Sequence, residues 1–166
     1  MIEGVEYFNS IELPDSRGSF SKLFSKNWDN LSSINTEEMF LTTSIKGVTR
    51  GMHLQIGLSE NWKIVSVVEG YVFDVLVDVR KSSNSFLNIN KYFLEAGMSL
   101  LFPPGVAHGF QAVESSKLLY LSSKSRVEEL DVGFNVQSLP IDWPLDFGYQ
   151  SERDINLPSL NLFLSK

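Results

Sequence analysis

The sequence predicts an all-β protein, an antiparallel jelly-roll sandwich or barrel, on three observations. Short segments rich in Val, Ile, Leu, Phe and Thr recur along the chain, separated by Gly, Ser, Asn or Pro turns. Within them apolar and polar residues alternate with a period of two, which turns one face inward and the other outward. Only one short stretch reads as helical, and many short strands at this spacing close into two-layer or barrel architectures.

In chain order, the first strand is expected at FSKLF (20–24). A short helix follows at NWDNLSS (27–33), with Ser25 as its candidate cap. MFLTTSI (39–45) and VTRGMHLQ (48–55) read as strands. The run KIVSVVEGYVFDVLVDVR (63–80) reads as two strands broken at Glu69-Gly70, because Tyr71, Phe73, Val75, Val77 and Val79 alternate with Val72, Asp74, Leu76 and Asp78. NKYFL (90–94), MSLLFP (98–103) and KLLYLSSK (117–124) complete the set, and after Pro103-Pro104-Gly105 the chain re-enters the sheet near His108. Beyond about residue 126 the pattern gives way to a Pro- and Asp-rich tail, DWPLDFGYQSERDINLPSL, expected to wrap the barrel as loops and short turns. No repeat or linker divides the chain, so 1–166 is expected to be one domain.

Composition excludes several classes. Hydrophobic residues at 43% and charged residues at 20% fit a folded globular chain rather than a disordered one. The formal charge is −6 and the basic residues are scattered singly, so a nucleic-acid partner is not expected. With no cysteine, disulfides, thiolate metal sites and cysteine nucleophiles are ruled out. No membrane span and no leader are expected, because no stretch approaches ~20 apolar residues and MIEGVEYFNS lacks a basic segment followed by an apolar run. A cytoplasmic protein is the default. The Gly-rich phosphate loops are missing, so a phosphate would have to be held by side chains.

The chain holds two histidines, His53 in GVTRGMHLQ and His108 in LFPPGVAHGF. Inward-facing cations in a barrel filled by aliphatic residues are costly unless paired or turned to a pocket. Arg50, His53 and Lys63 fall on strands joined by a short loop, which makes the strands neighbours. Strict alternation would turn Arg50 and His53 to opposite faces, but a bulge at Gly51 would bring both to one cavity. Taken singly, each candidate also has a plainer reading. His53 reads as a half-buried strand histidine, Lys63 as a strand-end charge, His108 as a turn histidine, Tyr120 as a core aromatic and Asp154 as a loop carboxylate. Two histidines 55 residues apart form no HxH or HxxxH cluster, so no metal is expected. No GxSxG elbow supports a serine hydrolase.

Together DSRGSF (15–20), GVTRGMHLQ (47–55), Lys63 of NWKIVSVVEGYVFDVLVDVRKSS (61–83), LFPPGVAHGF (101–110), LLY (118–120), IDWPL (141–145) and SERD (151–154) are collinear with one family. The chain resembles the nucleotide-sugar 3,5-epimerases, dimeric cupin-type jelly rolls that work without metal or organic cofactor. The resemblance implies a nucleotide-diphosphate sugar as partner, a homodimer, and epimerisation of a nucleotide-linked 4-keto-6-deoxyhexose at C3, C5 or both, in deoxysugar and surface polysaccharide synthesis. It further implies His53 as general base with Asp154 orienting it, Tyr120 as acid on the opposite sugar face, and Lys63 beside the developing enolate. Arg17, Arg50, His108, Asp131 and Arg153 would contact substrate, Arg17 and Arg50 at the diphosphate. Such chemistry needs a stabilised enolate oxygen and a base and an acid on opposite faces.

The match also has departures. Lys22 stands where the family has a glutamate, Phe40-Leu41-Thr42 replaces a Gln-Asp-Asn stretch, Ser125-Arg126 replaces an aromatic pair, and Asp131 best matches a later glutamate. In the family these positions surround nucleotide and phosphates, so a relaxed or altered base preference is expected while the catalytic set is intact. Two rivals stand beside this reading: a single-centre epimerase or keto-isomerase on the same scaffold, and a non-catalytic cupin that binds sugar nucleotides.

Overall fold

A computed structural model describes residues 1–28, 31–32 and 34–165. Two five-stranded antiparallel sheets face each other in a jelly roll. The first sheet has the order β1 (Glu6–Asn9), β9 (Met98–Phe102), β6 (Lys63–Glu69), β11 (Ser116–Ser122) and β4 (Glu38–Ser44). The second has the order β12 (Asp131–Gly133), β5 (Thr49–Gln55), β10 (Val106–Ala112), β7 (Tyr71–Asp78) and β8 (Ile89–Glu95). A separate hairpin pairs β2 (Ile11–Asp15) with β3 (Gly18–Lys22).

The period-two pattern sorts residues as expected. On β7, Val72 and Leu76 join Val65, Val67, Leu100, Phe110 and Leu118 in the core between the sheets. Their neighbours Phe73, Val75 and Val77 point the other way, into a second core with Phe134, Val136 and Leu139 of the tail. A third cluster, around Leu31, Ile34, Ile64, Leu101 and Leu121, covers the outer face of the first sheet. The break between β6 and β7 falls at Gly70, whose φ of +90° suits glycine.

Several boundaries differ from the sequence reading. The strand expected at 20–24 is displaced to β3, and β1 and β2 precede it. The β10 strand, which the alternation missed, has all seven residues buried. It is covered by the facing sheet on one side and the tail on the other, so no polar face marks it. The tail does wrap the second sheet, but it also contains β12 and two short helices, α1 (Glu152–Ile155) and α2 (Leu160–Leu164). Each helix is capped by a serine, Ser151 and Ser159. The helix expected over 27–33 falls partly on residues 29, 30 and 33, which lie outside the described residues. Around it the Trp28 N–H donates to the Ser25 carbonyl (3.1 Å) and the Leu31 N–H to the Trp28 carbonyl (2.9 Å), as in successive turns.

Candidate active site

A cavity of about 450 Å³ opens between the sheets, lined by β4, β6 and β11 on one side and by β5, β10, β12 and α1 on the other. Its geometry begins at Gly51. In the β5–β10 pairing His53 stands opposite His108 and Arg50 opposite Phe110, so two residues on β5, Gly51 and Met52, face one on β10, Gly109. The extra residue is the expected bulge. Gly51 has a φ of +106°, and a Cβ there would lie 2.7 Å from both the His108 carbonyl oxygen and Gly109 Cα. Arg50 and His53 therefore line one cavity, while Met52 between them is fully buried in the core behind.

His53 Nε2 lies 2.8 Å from Asp154 Oδ1. The Ser151 hydroxyl accepts the Asp154 N–H at 3.1 Å, and the Gly51 N–H donates to Asp154 Oδ2 at 3.3 Å. Burial alone would raise the Asp154 pKa, but the His53 ring and the Gly51 N–H outweigh it and hold the carboxyl below its usual value. An ionised carboxylate only accepts hydrogen bonds, which assigns the hydrogen to Nε2 and leaves Nδ1 free to take a proton.

His108 has a matching partner, with Nε2 2.7 Å from Asp74 Oδ2. The sequence reading passed over Asp74. Its signal was nevertheless present, a carboxylate between Val72 and Leu76 on the inward face of β7, fully buried in the structure. Asp74 Oδ1 is buried with no hydrogen-bond partner among the described residues.

Lys63 at the start of β6 reaches the cavity half-buried. Desolvation pulls its pKa down, Arg126 adds to this, and Asp131 and Glu38 oppose it. Tyr120 on β11 belongs at once to the core and to the cavity wall, so its plainer reading and its functional one are compatible. Burial pushes its phenol well above the usual tyrosine range, reinforced by Asp74, with Thr42 and Arg50 acting the other way.

Asp131 gathers the arginines at the rim. Its Oδ2 accepts from Arg126 Nε at 2.7 Å and from Arg153 Nη1 at 3.1 Å. Burial would raise its pKa, but the two guanidinium groups hold it below the usual carboxylate value. Arg17 is not brought to this cavity. It sits in the β2–β3 turn, its side chain 87% exposed and paired with Asp15 at 2.7 Å, because that hairpin pairs only with itself. Among the described residues no group of three His, Asp or Glu is placed to share a metal ion, and no helix is long and apolar enough to cross a membrane.

Comparison with known proteins identifies the family and the fold. The family model of dTDP-4-dehydrorhamnose 3,5-epimerase matches residues 1–161. A dTDP-4-dehydrorhamnose 3,5-epimerase of Shigella flexneri is 36% identical over 119 residues, an alignment that takes in 68% of this chain and 65% of that protein. The crystal structure of the Sulfolobus tokodaii enzyme of the same name superposes with a TM-score of 0.89 at 34% identity, covering 96% of this chain and 92% of that one. A dTDP-6-deoxy-D-glucose-3,5-epimerase from Legionella pneumophila, solved with dTDP-4-keto-L-rhamnose, gives 0.89 at 30% identity, covering 97% and 90%.

Proposed function

We propose, for a chain that belongs to the dTDP-4-dehydrorhamnose 3,5-epimerase family, that this cavity inverts carbon centres beside the C4 ketone of a nucleotide-diphosphate 4-keto-6-deoxyhexose, in deoxysugar biosynthesis. One observation carries the reading. His53 and Tyr120 line the same cavity from different sheets, β5 and β11, so a sugar ring lying between them presents one face to each.

The steps follow from the side chains. His53 Nδ1 removes the proton at C3 or C5, and the C–H electron pair moves onto the ketone oxygen as an enolate. Asp154 steadies the imidazolium that results. Lys63 supplies positive charge and a hydrogen-bond donor for the enolate oxygen, and His108, its Nε2 held by Asp74 Oδ2, contacts the sugar. The enolate collapses and its carbon takes a proton from the Tyr120 hydroxyl on the opposite face, which inverts the centre. Arg50 and Arg153, with Asp131 holding the latter, bind the diphosphate. Arg17 lies outside this chain's cavity, so its expected part at the diphosphate requires the hairpin of a second copy. Exposed Leu13 and Phe20 on that hairpin, and Met39 and Leu41 on the edge strand β4, support a homodimer. A cytoplasmic location and a role in surface polysaccharide synthesis belong to the same proposal.

The test is deuterium uptake at C3 and C5 of dTDP-4-keto-6-deoxyglucose in heavy water, which also reads whether one centre or both react. His53→Asn is expected to abolish uptake at every centre that the wild type exchanges. Tyr120→Phe is expected to exchange deuterium while accumulating little epimer, because His53 can still remove a proton and return deuteron to the same face. Wild-type exchange in His53→Asn, or unimpaired epimerisation in Tyr120→Phe, would remove the assigned roles.

A further inference from the structure

The edge strand β4 contributes two side chains to the cavity that stand directly beside the phenol. In the β4–β11 register Phe40 is the cross-strand partner of Tyr120 and Thr42 the partner of Leu118, so Phe40, Thr42 and Tyr120 share the inward face. The Phe40 and Tyr120 rings are nearly parallel, 5° apart in plane with centroids 4.7 Å apart. That is stacked geometry, and it fixes the plane of the phenol. The Thr42 hydroxyl oxygen is buried and has no hydrogen-bond partner among the described residues. A buried hydroxyl without a partner carries an uncompensated desolvation cost, so its retention calls for a state in which it is bonded.

We infer that Phe40 and Thr42 are positioning residues for proton return: Phe40 holds the Tyr120 ring in plane, and the Thr42 hydroxyl donates to the phenolate oxygen formed when Tyr120 gives up its proton. The inference rests on the proposed role of Tyr120. The proton balance is closed, since the Tyr120 proton goes to the sugar carbon, the charge stays on the phenolate oxygen, and Thr42 donates a hydrogen bond without losing its own proton. The Thr42 hydroxyl lies near enough to the phenol to oppose the rise that burial and Asp74 impose on it, yet outside hydrogen-bond geometry with it in this state, so a small approach completes the bond. The other ionisable groups around this cavity are Arg50 and His53 on β5, Lys63 on β6, Asp74 on β7, His108 on β10, Glu38 on β4, Asp131 on β12, Asp154 and Arg153 on α1, and Arg126 at the rim. Among the described residues no hydrogen bond joins any of them to the Tyr120 oxygen. A neutral donor two positions along the neighbouring strand is therefore the group best placed to serve the phenolate.

The experiment compares deuterium exchange with epimer formation in wild type, Thr42→Val, Thr42→Ser and Phe40→Leu. Thr42→Val keeps the β-branched shape of a strand residue and removes only the donor. Its inversion rate is expected to fall roughly ten- to a hundredfold, the loss of one hydrogen bond to a charged oxygen, while exchange through His53 stays within about twofold of wild type. The effect should fall on kcat rather than KM. Thr42→Ser should restore inversion, and Phe40→Leu should lower inversion without lowering exchange. A purely structural role would shift melting temperature and lower both readouts together, and that outcome overturns the inference. So does wild-type inversion in Thr42→Val. A wild-type protein that exchanges no deuterium overturns the epimerase reading and this inference with it, whereas normal wild-type turnover with insensitive β4 variants removes this inference alone.

Discussion

Replacing Gly51 by alanine tests the feature on which the cavity depends. At a φ of +106° an alanine is strained, which costs roughly 1–2 kcal/mol. The new Cβ would also press within 2.7 Å of the His108 carbonyl oxygen and Gly109 Cα, both backbone atoms of a fully buried strand that cannot swing aside. Overpacking of that kind costs about 1–3 kcal/mol more. The sum, about 2–5 kcal/mol, corresponds to a fall in melting temperature of roughly 5–20 °C for a chain of this size. Function should suffer more than stability. If the strand escapes the clash by losing its extra residue, alternation turns either Arg50 or His53 away from the cavity. Circular dichroism melts and deuterium exchange on the same sample measure the two effects. A Gly51→Ala protein that melts within about 2 °C of wild type and exchanges substrate hydrogen normally would refute the argument from the bulge.

Two further outcomes follow from the charged groups of the site. The folded-state pKa of Asp154 is depressed, so its charge stabilises the fold above the unfolded value near ~3.9 and that contribution is lost as pH falls through the folded value; Asp154→Asn should melt below wild type at pH 7, with a gap that narrows below about pH 4, and a gap constant from pH 7 to 3 would contradict this. At the rim the Arg126 guanidinium is held by Asp131 at 2.7 Å; a guanidinium stacks on any base, so calorimetric titration is expected to give dTDP, UDP, GDP and CDP comparable affinities, and a strong preference for dTDP would refute it.

The sheets were legible because alternation is a direct record of burial on one face. It worked for β7, where Val72 and Leu76 go to one core and Phe73, Val75 and Val77 to another. It failed for β10, where both faces are buried and the pattern VAHGFQA carries no polar beat. The short helices of the tail escaped for a different reason. At four and five residues they are too short for helical periodicity, and only their serine caps mark them.

The site was legible where the sequence breaks the rules of its own fold. A glycine within a strand, between an arginine and a histidine, announced a bulge, and the register has one there. Asp74 broke the same rule without being read, although a carboxylate amid inward valine and leucine demands a buried partner, and His108 is that partner. What spacing cannot supply is a contact between distant segments. His53 and Asp154 are 101 residues apart and meet because the tail folds back beside β5, with β12 paired to it and α1 packed against it. Only family resemblance suggested that pair. At Phe40, Thr42 and Arg126, where the sequence reading expects departures from the family, the side-chain geometry decides: two of the three stand beside the phenol, and the third is tied to Asp131 at the rim.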